Sequence, residues 1–242
     1  MVLPNQRRVR ENGVVVPRLP GLLAWWDFSD LSTITKDGSN LVSAVTDKSN
    51  NSNGLLQATG AKQPTWTAAN KNGLDVLDFD GGDALTVPSG IYSLANGDWT
   101  SFFVVIQDAG ANERLMTLAI AGNASRLVIR YAGAGNAVVI QNNATGTVPS
   151  ASATVTNWNI VTARHADATT QGIAVNNGTE ATDANGANIG SIVAGAIGAD
   201  GAAGASFFNG KMAEILIYNR SLSVAERTSI AAYLSLKWGI TI

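Results

Sequence analysis

From Leu22 onward, short apolar runs alternate with clusters of Gly, Asn, Asp and Pro. This alternation limits the chain to a narrow set of folds. The runs fall at residues 22–28, 74–79, 85–87, 99–107, 114–120, 127–131, 138–141, 159–164, 172–175, 192–197 and 212–218. They are rich in β-branched and aromatic residues, and turn formers separate them. Many short strands without intervening helices predict an all-β, two-sheet antiparallel sandwich of jelly-roll type. Asn177-Gly178 is expected at a two-residue hairpin turn, where positive φ is needed. Residues 163–205, rich in Ala and Gly, read as strands with small side chains and loops, not as a separate domain.

Run 99–107 is apolar on both faces. Trp99, Phe103 and Val105 share one, and Phe102, Val104 and Ile106 share the other. One face is expected to pack the sandwich core. Long loops of the same chain are expected to cover the other. The one convincing helix closes the chain over residues 223–238. Ser223 and Glu226 form a capping box. Ile230, Leu234 and Trp238 recur every four residues as a docking stripe, and Gly239 stands where a C-terminal cap belongs.

Composition excludes several chemistries. The chain has 242 residues, enough for one large β domain, and no cysteine, which removes disulfides, Cys-ligated zinc, iron–sulfur clusters and thiol catalysis. Its single histidine, His165, removes multi-histidine metal sites and is expected at a surface or sheet edge. No apolar stretch is long enough for a membrane span or a signal-peptide core, so neither a membrane partner nor classical secretion is expected. Net charge is −2, too small for a global nucleic-acid field.

Charge is nonetheless unevenly placed. Residues 1–20 hold Arg7, Arg8, Arg10 and Arg18 against Glu11, together with three of the six prolines. Proline favours extended backbone. Residues 1–21 are therefore expected to be an extended basic arm, with a first edge strand at Val14-Val15-Val16 as the alternative, and residues 22–242 the sandwich with its closing helix. Four arginines without interleaved aromatics make a poor nucleic-acid site. An acidic protein surface suits them as well.

Three stretches resemble one known family. Leu77-Asp78-Phe79-Asp80-Gly81-Gly82-Asp83 resembles a hairpin of the concanavalin A-like sandwiches of laminin-G-like type. Trp158-Asn159-Ile160-Val161-Thr162, followed by Ile173-Ala174-Val175-Asn176-Asn177-Gly178, resembles a second hairpin of that family. Phe208-Asn209-Gly210-Lys211-Met212-Ala213-Glu214-Ile215-Leu216-Ile217-Tyr218-Asn219-Arg220-Ser221-Leu222-Ser223 resembles its closing strand and helix start, and is the specific match. Leu23-Ala24-Trp25-Trp26-Asp27-Phe28-Ser29 and the last helical turns are similar to versions found in tailed-phage virion proteins and bacterial surface proteins. The family hosts lectins, glycosidases, adhesion modules and structural modules, so fold alone does not decide function.

Candidate sites follow from this reading. Glycoside hydrolysis needs two flanking carboxyl groups. Glu11, Glu113, Glu180, Glu214 and Glu226 include no closely spaced pair, and the E-x-D-x-x-E strand of glucanases on this fold is absent. No enzyme is expected, and no catalytic residue is named. Asp78, Asp80 and Asp83, with Asp75, form the densest carboxylate group. Calcium takes such ligands, and some family members bind it near the sandwich rim. A turn role for these residues is preferred over a metal, and no cofactor is expected. Of the six tryptophans, Trp66 follows Pro64 in a loop-like stretch and is the glycan-stacking candidate. The resemblance and the arm together imply a non-enzymatic phage virion protein, a capsid decoration docked on the shell through Arg7, Arg8, Arg10 and Arg18. It would be assembled in the host cytoplasm, with a second copy of itself as another partner. The alternative is a carbohydrate-binding adhesion module of a phage tail or bacterial surface protein. A degenerate glycosidase stands behind both.

Overall fold

The computed structural model describes residues 9–11, 14–17, 19–108, 113–121, 126–132, 137–142, 149–154, 156–167, 170–184, 190–201 and 205–242. Nineteen strands and one α-helix are assigned there. In chain order the strands are β1 (Val9–Glu11), β2 (Val14–Val16), β3 (Leu22–Asp27), β4 (Ile34–Lys36), β5 (Val42–Val45), β6 (Leu55–Leu56) and β7 (Thr65–Lys71). There follow β8 (Leu74–Asp80), β9 (Leu85–Thr86), β10 (Trp99–Gln107), β11 (Arg114–Ala119), β12 (Arg126–Ala132) and β13 (Ala137–Asn142). The last are β14 (Ser150–Ser152), β15 (Asn159–Ala166), β16 (Thr170–Val175), β17 (Ala181–Asp183), β18 (Ala194–Ile197) and β19 (Asn209–Tyr218), before helix α1 (Val224–Trp238).

Two antiparallel sheets form the sandwich. The first runs β17-β16-β15-β10-β19-β8-β7, with β3 also paired to β19. The second runs β14-β13-β12-β11-β18-β9-β6-β5-β4. Their facing sides share one core, in which Trp26, Phe79, Phe103, Ile215 and Ile217 meet Leu118, Ile129, Tyr131 and Ile140. The jelly-roll expectation therefore stands. The strands that sequence reading passed over are β1, β4, β5, β6, β7, β14 and β17. They are short or lie at sheet margins, where one apolar side chain in two is not required.

The outer side of the first sheet departs from expectation. Phe102 and Val104 are covered by α1, not by loops: Ile230, Tyr233, Leu234 and Trp238 pack on them with Trp25, Leu216 and Tyr218. The helix begins with both halves of the capping box, Ser223 accepting from the Glu226 N–H and the Glu226 carboxylate accepting from the Ser223 N–H. It ends at Gly239, with φ of 60°, a conformation that glycine adopts without steric cost. The β16–β17 turn is also shifted by one residue. Positive φ falls on Asn176 (50°) and Asn177 (55°), and the Gly178 N–H closes the turn on the Val175 carbonyl at 2.9 Å. Asparagine tolerates this region better than other side chains do.

A charged cluster lies beneath the helix. Glu214 on β19 is fully buried. Its Oε1 accepts from the Trp25 indole at 2.7 Å and the Tyr233 hydroxyl at 2.8 Å, and its Oε2 from the Trp238 indole at 2.7 Å. The Lys237 ammonium lies 2.9 Å from Glu214 and 2.8 Å from Asp27, approaching as a charge off the best hydrogen-bonding direction. Lys48 reaches Asp27 at 3.1 Å from the other side. Burial and the Asp27 charge hold the Glu214 carboxyl above the usual range, against the pull of Lys237. Asp27 is also buried, but Lys237 and Lys48 outweigh that and hold it below the usual range.

The N-terminal stretch holds β1 and β2, paired as a hairpin apart from both sheets, with β2 beside α1. Leu19 is buried in the cluster under the helix. Arg7, Arg8 and Arg18 lie outside the described residues, and Arg10 falls in β1.

Candidate functional site

Four of the six tryptophans, Trp25, Trp26, Trp99 and Trp238, are buried. The other two, Trp66 and Trp158, are half-buried and face different surroundings. Trp66 sits in β7, packed against the sandwich core, with the Lys36 ammonium 4.9 Å from its ring centroid. Expected as an open platform in a loop, it is instead a strand residue whose ring carries a cation.

Trp158 precedes β15, packs partly on the cluster under the helix, and lines a cavity of about 500 Å³. The start of β15, the end of β16, the residues after α1 and the end of β7 surround this cavity. Its floor is fixed by paired asparagines. The Asn159 amide donates to the Thr154 carbonyl at 3.0 Å and the Asn157 carbonyl at 2.7 Å. Its Oδ1 accepts from the Asn176 amide at 3.2 Å, while Asn176 Oδ1 accepts the Ile160 N–H at 2.8 Å. On the far wall Lys71 donates to the Gly239 carbonyl at 3.2 Å, joining β7 to the end of the helix. Thr154, Thr156 and Asn157 are exposed around the opening.

Among the described residues that line this cavity there is no carboxylate. It offers one aromatic ring, amides, hydroxyls and a single ammonium. An indole covers the apolar face of a ring, while amides and hydroxyls exchange hydrogen bonds with hydroxyl groups. The arrangement suits a neutral polyhydroxylated ligand. The hairpin motif containing Trp158 was visible in the sequence. Its half-open position was not, because that depends on where the helix ends.

The carboxylate cluster resolves into turn contacts. Asp80 Oδ1 accepts the Gly82 N–H at 2.8 Å, and Asp83 Oδ2 accepts the Asp80 N–H at 3.0 Å. Asp78 instead faces Lys211 at 3.5 Å. Burial, helped by the Asp80 charge and opposed by the Asp80 N–H, pushes the Asp83 carboxyl up to about 6. Among the described residues, no group of three or more His, Asp or Glu is placed to hold a metal ion. His165 is neither at the surface nor at a sheet edge. It is buried on β15, inside the first sheet, stacked on Trp99 with its Nδ1 2.9 Å from the Gly97 carbonyl oxygen. Glu113 is engaged by the Gln107 amide at 3.0 Å and the Asn209 N–H at 3.1 Å.

The sandwich, its helix-covered sheet and its amide-lined cavity define a lectin-like β protein. The model of the concanavalin A-like lectin/glucanases superfamily matches residues 79–226, and the chain belongs to that superfamily. No curated protein matches the sequence. Among solved structures, domain 4 of an extracellular arabinanase from Geobacillus stearothermophilus, in complex with arabinotriose, superposes with a TM-score of 0.64 at 14% identity. That match covers 87% of this chain and 98% of that domain. A mutant of Trypanosoma rangeli sialidase displaying trans-sialidase activity gives 0.63 at 18% identity over 95% of this chain, but the match spans only 35% of the sialidase. The binding domain of Paraclostridial Mosquitocidal Protein 1 gives 0.61 at 13% identity, over 89% of this chain and 52% of that one. Identities this low establish a shared fold.

Proposed function

We propose that this chain is a non-enzymatic carbohydrate-binding module and that the Trp158 cavity is its site. The carrying observation is the half-buried indole set among locked amides and exposed hydroxyls, with no carboxylate among the described lining residues. The arabinanase domain solved with arabinotriose supports the reading by fold. Titration calorimetry with arabinotriose and a panel of other neutral oligosaccharides tests it. A bound sugar and a loss of at least about tenfold on Trp158→Ala, the order of one stacking contact, are expected. Equal binding by Trp158→Ala would overturn the site. Hydrolysis of any of these sugars would overturn the non-enzymatic reading.

A second reading sets the module on a phage virion as a capsid decoration. Its support is the charge division in the chain, net +3 in residues 1–20 against −5 in the remainder. Arg7, Arg8 and Arg10 changed together to Ala should lower co-sedimentation with particles lacking the protein. Unchanged co-sedimentation would remove the docking role.

A further inference from the structure

The charged cluster beneath the helix holds an amine against a carboxyl group where water is excluded. Lys237 comes from the last turn of α1 and Asp27 from the end of β3. Their side chains are 0% and 1% exposed, and Lys237 Nζ lies 2.8 Å from Asp27 Oδ2. The Asp27 Cγ is one bond beyond that oxygen. Groups react when they are held about 3–3.5 Å apart in alignment, and such placement equals effective molarities of about 10⁵–10⁸ M. Joining an amine to a carboxyl group releases water, so a dry site favours it.

Three further contacts fit the same step. Ser29 donates to Asp27 Oδ1 from its N–H at 3.2 Å and from its hydroxyl at 2.7 Å. Paired donors stabilise the negative oxygen that develops when such a carbon is attacked. Lys48 stands 3.1 Å from Oδ2, the oxygen that has to leave. Glu214, fully buried, touches the Lys237 ammonium at 2.9 Å. The Trp25 and Trp238 indoles and the Tyr233 hydroxyl fix its orientation. Burial and the Asp27 charge raise its carboxyl, which suits it to carry a proton between neighbours.

We propose that Lys237 Nζ and Asp27 Cγ join in an intramolecular amide bond, formed inside the folded chain with Glu214 as the proton carrier. The starting state is the ion pair. Glu214 takes one proton from the ammonium, which frees the nitrogen lone pair. That pair attacks Asp27 Cγ, and negative charge moves onto Oδ1, against the Ser29 donors. Glu214 passes its proton to Oδ2, takes a second from the nitrogen and passes that on as well. The Cγ–Oδ2 bond breaks and Oδ2 leaves as water. One hydrogen stays on the amide nitrogen, Glu214 ends as it began, and nothing is oxidised or reduced. Two buried charges disappear, and with them a desolvation cost that an ion pair offsets only in part. The product ties the end of the helix to β3 in a chain without cysteine. It constrains the unfolded chain as a disulfide would.

Intact-mass spectrometry of the full chain, unfolded before measurement, reads the bond directly. The expected mass is that of the sequence less one water. A tryptic digest should hold the segments around Asp27 and Lys237 as one branched peptide, uncut after Lys237. Lys237→Arg keeps the positive charge on a group that does not give up its proton, and should restore the full mass. Glu214→Gln cannot carry a proton and should also show the full mass. Ser29→Ala keeps the buried charges and should form the bond at least about tenfold more slowly after refolding, because one of the two donors to Oδ1 is lost. A purely structural ion pair predicts the full mass in every one of these proteins. Full mass in the folded, unsubstituted protein would overturn the proposal. So would a water loss that persists in Lys237→Arg, which would place the reaction elsewhere in the chain.

Discussion

The Trp238 indole, from the last turn of the helix, donates at 2.7 Å to Glu214 at the middle of β19. Trp25 donates to the other oxygen of the same carboxylate at 2.7 Å. One acidic side chain thus ties the second-last element of the sandwich, its first long strand and the closing helix. Lys237 opposes the rise that burial and Asp27 impose on the Glu214 carboxyl.

Removing Lys237 should therefore be expensive. Lys237→Met leaves Asp27 and Glu214 facing each other with Lys48 as the remaining cation near Asp27. Breaking a buried pair from one side costs about 3–5 kcal/mol. A urea titration should show that loss as a lowered midpoint. The double variant Lys237→Met with Glu214→Gln should recover part of it, because no lone charge is then left behind.

The β8–β9 turn should make stability depend on pH. Asp83 has its carboxyl raised to about 6 from an ordinary 3.8. A raised folded value favours the protonated form, so its contribution is fully present below 3.8 and lost as pH rises through about 6. Asp83→Asn keeps an oxygen for the Asp80 N–H and carries no charge. Its melting temperature should exceed that of the unsubstituted protein at pH 8 by about 2–4 °C, equivalent to about 1 kcal/mol. Near pH 4 the two should coincide.

Gly210 on β19 should not tolerate alanine. Its φ is 154°, and a Cβ there would run into the Ile106 carbonyl oxygen and come within 2.9 Å of the Gln107 Cα. Both obstacles are backbone of β10, so neither can rotate away. Gly210→Ala should cost about 3 kcal/mol or more, read by urea unfolding. Gly38→Ala, which meets open space, is the control and should change little.

The N-terminal stretch should separate into two parts. Strands β1 and β2 pair as a hairpin, with β2 beside the helix, whereas Leu19 is 7% exposed within the cluster beneath it. Deleting residues 1–16 should shift the melting temperature by less than about 3 °C. Leu19→Ala should cost about 2–3 kcal/mol. A large loss from the deletion would make the hairpin part of the domain.

The strands that build the core were legible because their side chains answer to one requirement, burial. The helix was legible from its ends: Ser223, Glu226 and Gly239 mark caps without reference to anything else in the molecule. Lys237 and Glu214 were not legible, because a charged residue in a sequence reads as solvent-facing unless its partner is known. The partners here are 23 positions apart on different elements. Trp66 and Trp158 show the same limit. Both are tryptophans beside polar neighbours, and what separates them is Lys36 over one ring and an open cavity before the other. Arg126 and Arg130 carry the alternation of β12 plainly, yet their meeting with Arg114 and Asp200 depends on register and on the stretch after β18.

The place of β19 in the first sheet sets the order of events on the ribosome. It is the last of the described strands in chain order, and it pairs with β10, β3 and β8. At synthesis rates of roughly 5–20 residues per second, β8 waits on the order of ten seconds for that neighbour. Throughout that interval a nascent chain carries unpaired apolar strands and no helix to cover them. A chain that stops before Asn209 is expected to leave β10, β3 and β8 without that neighbour.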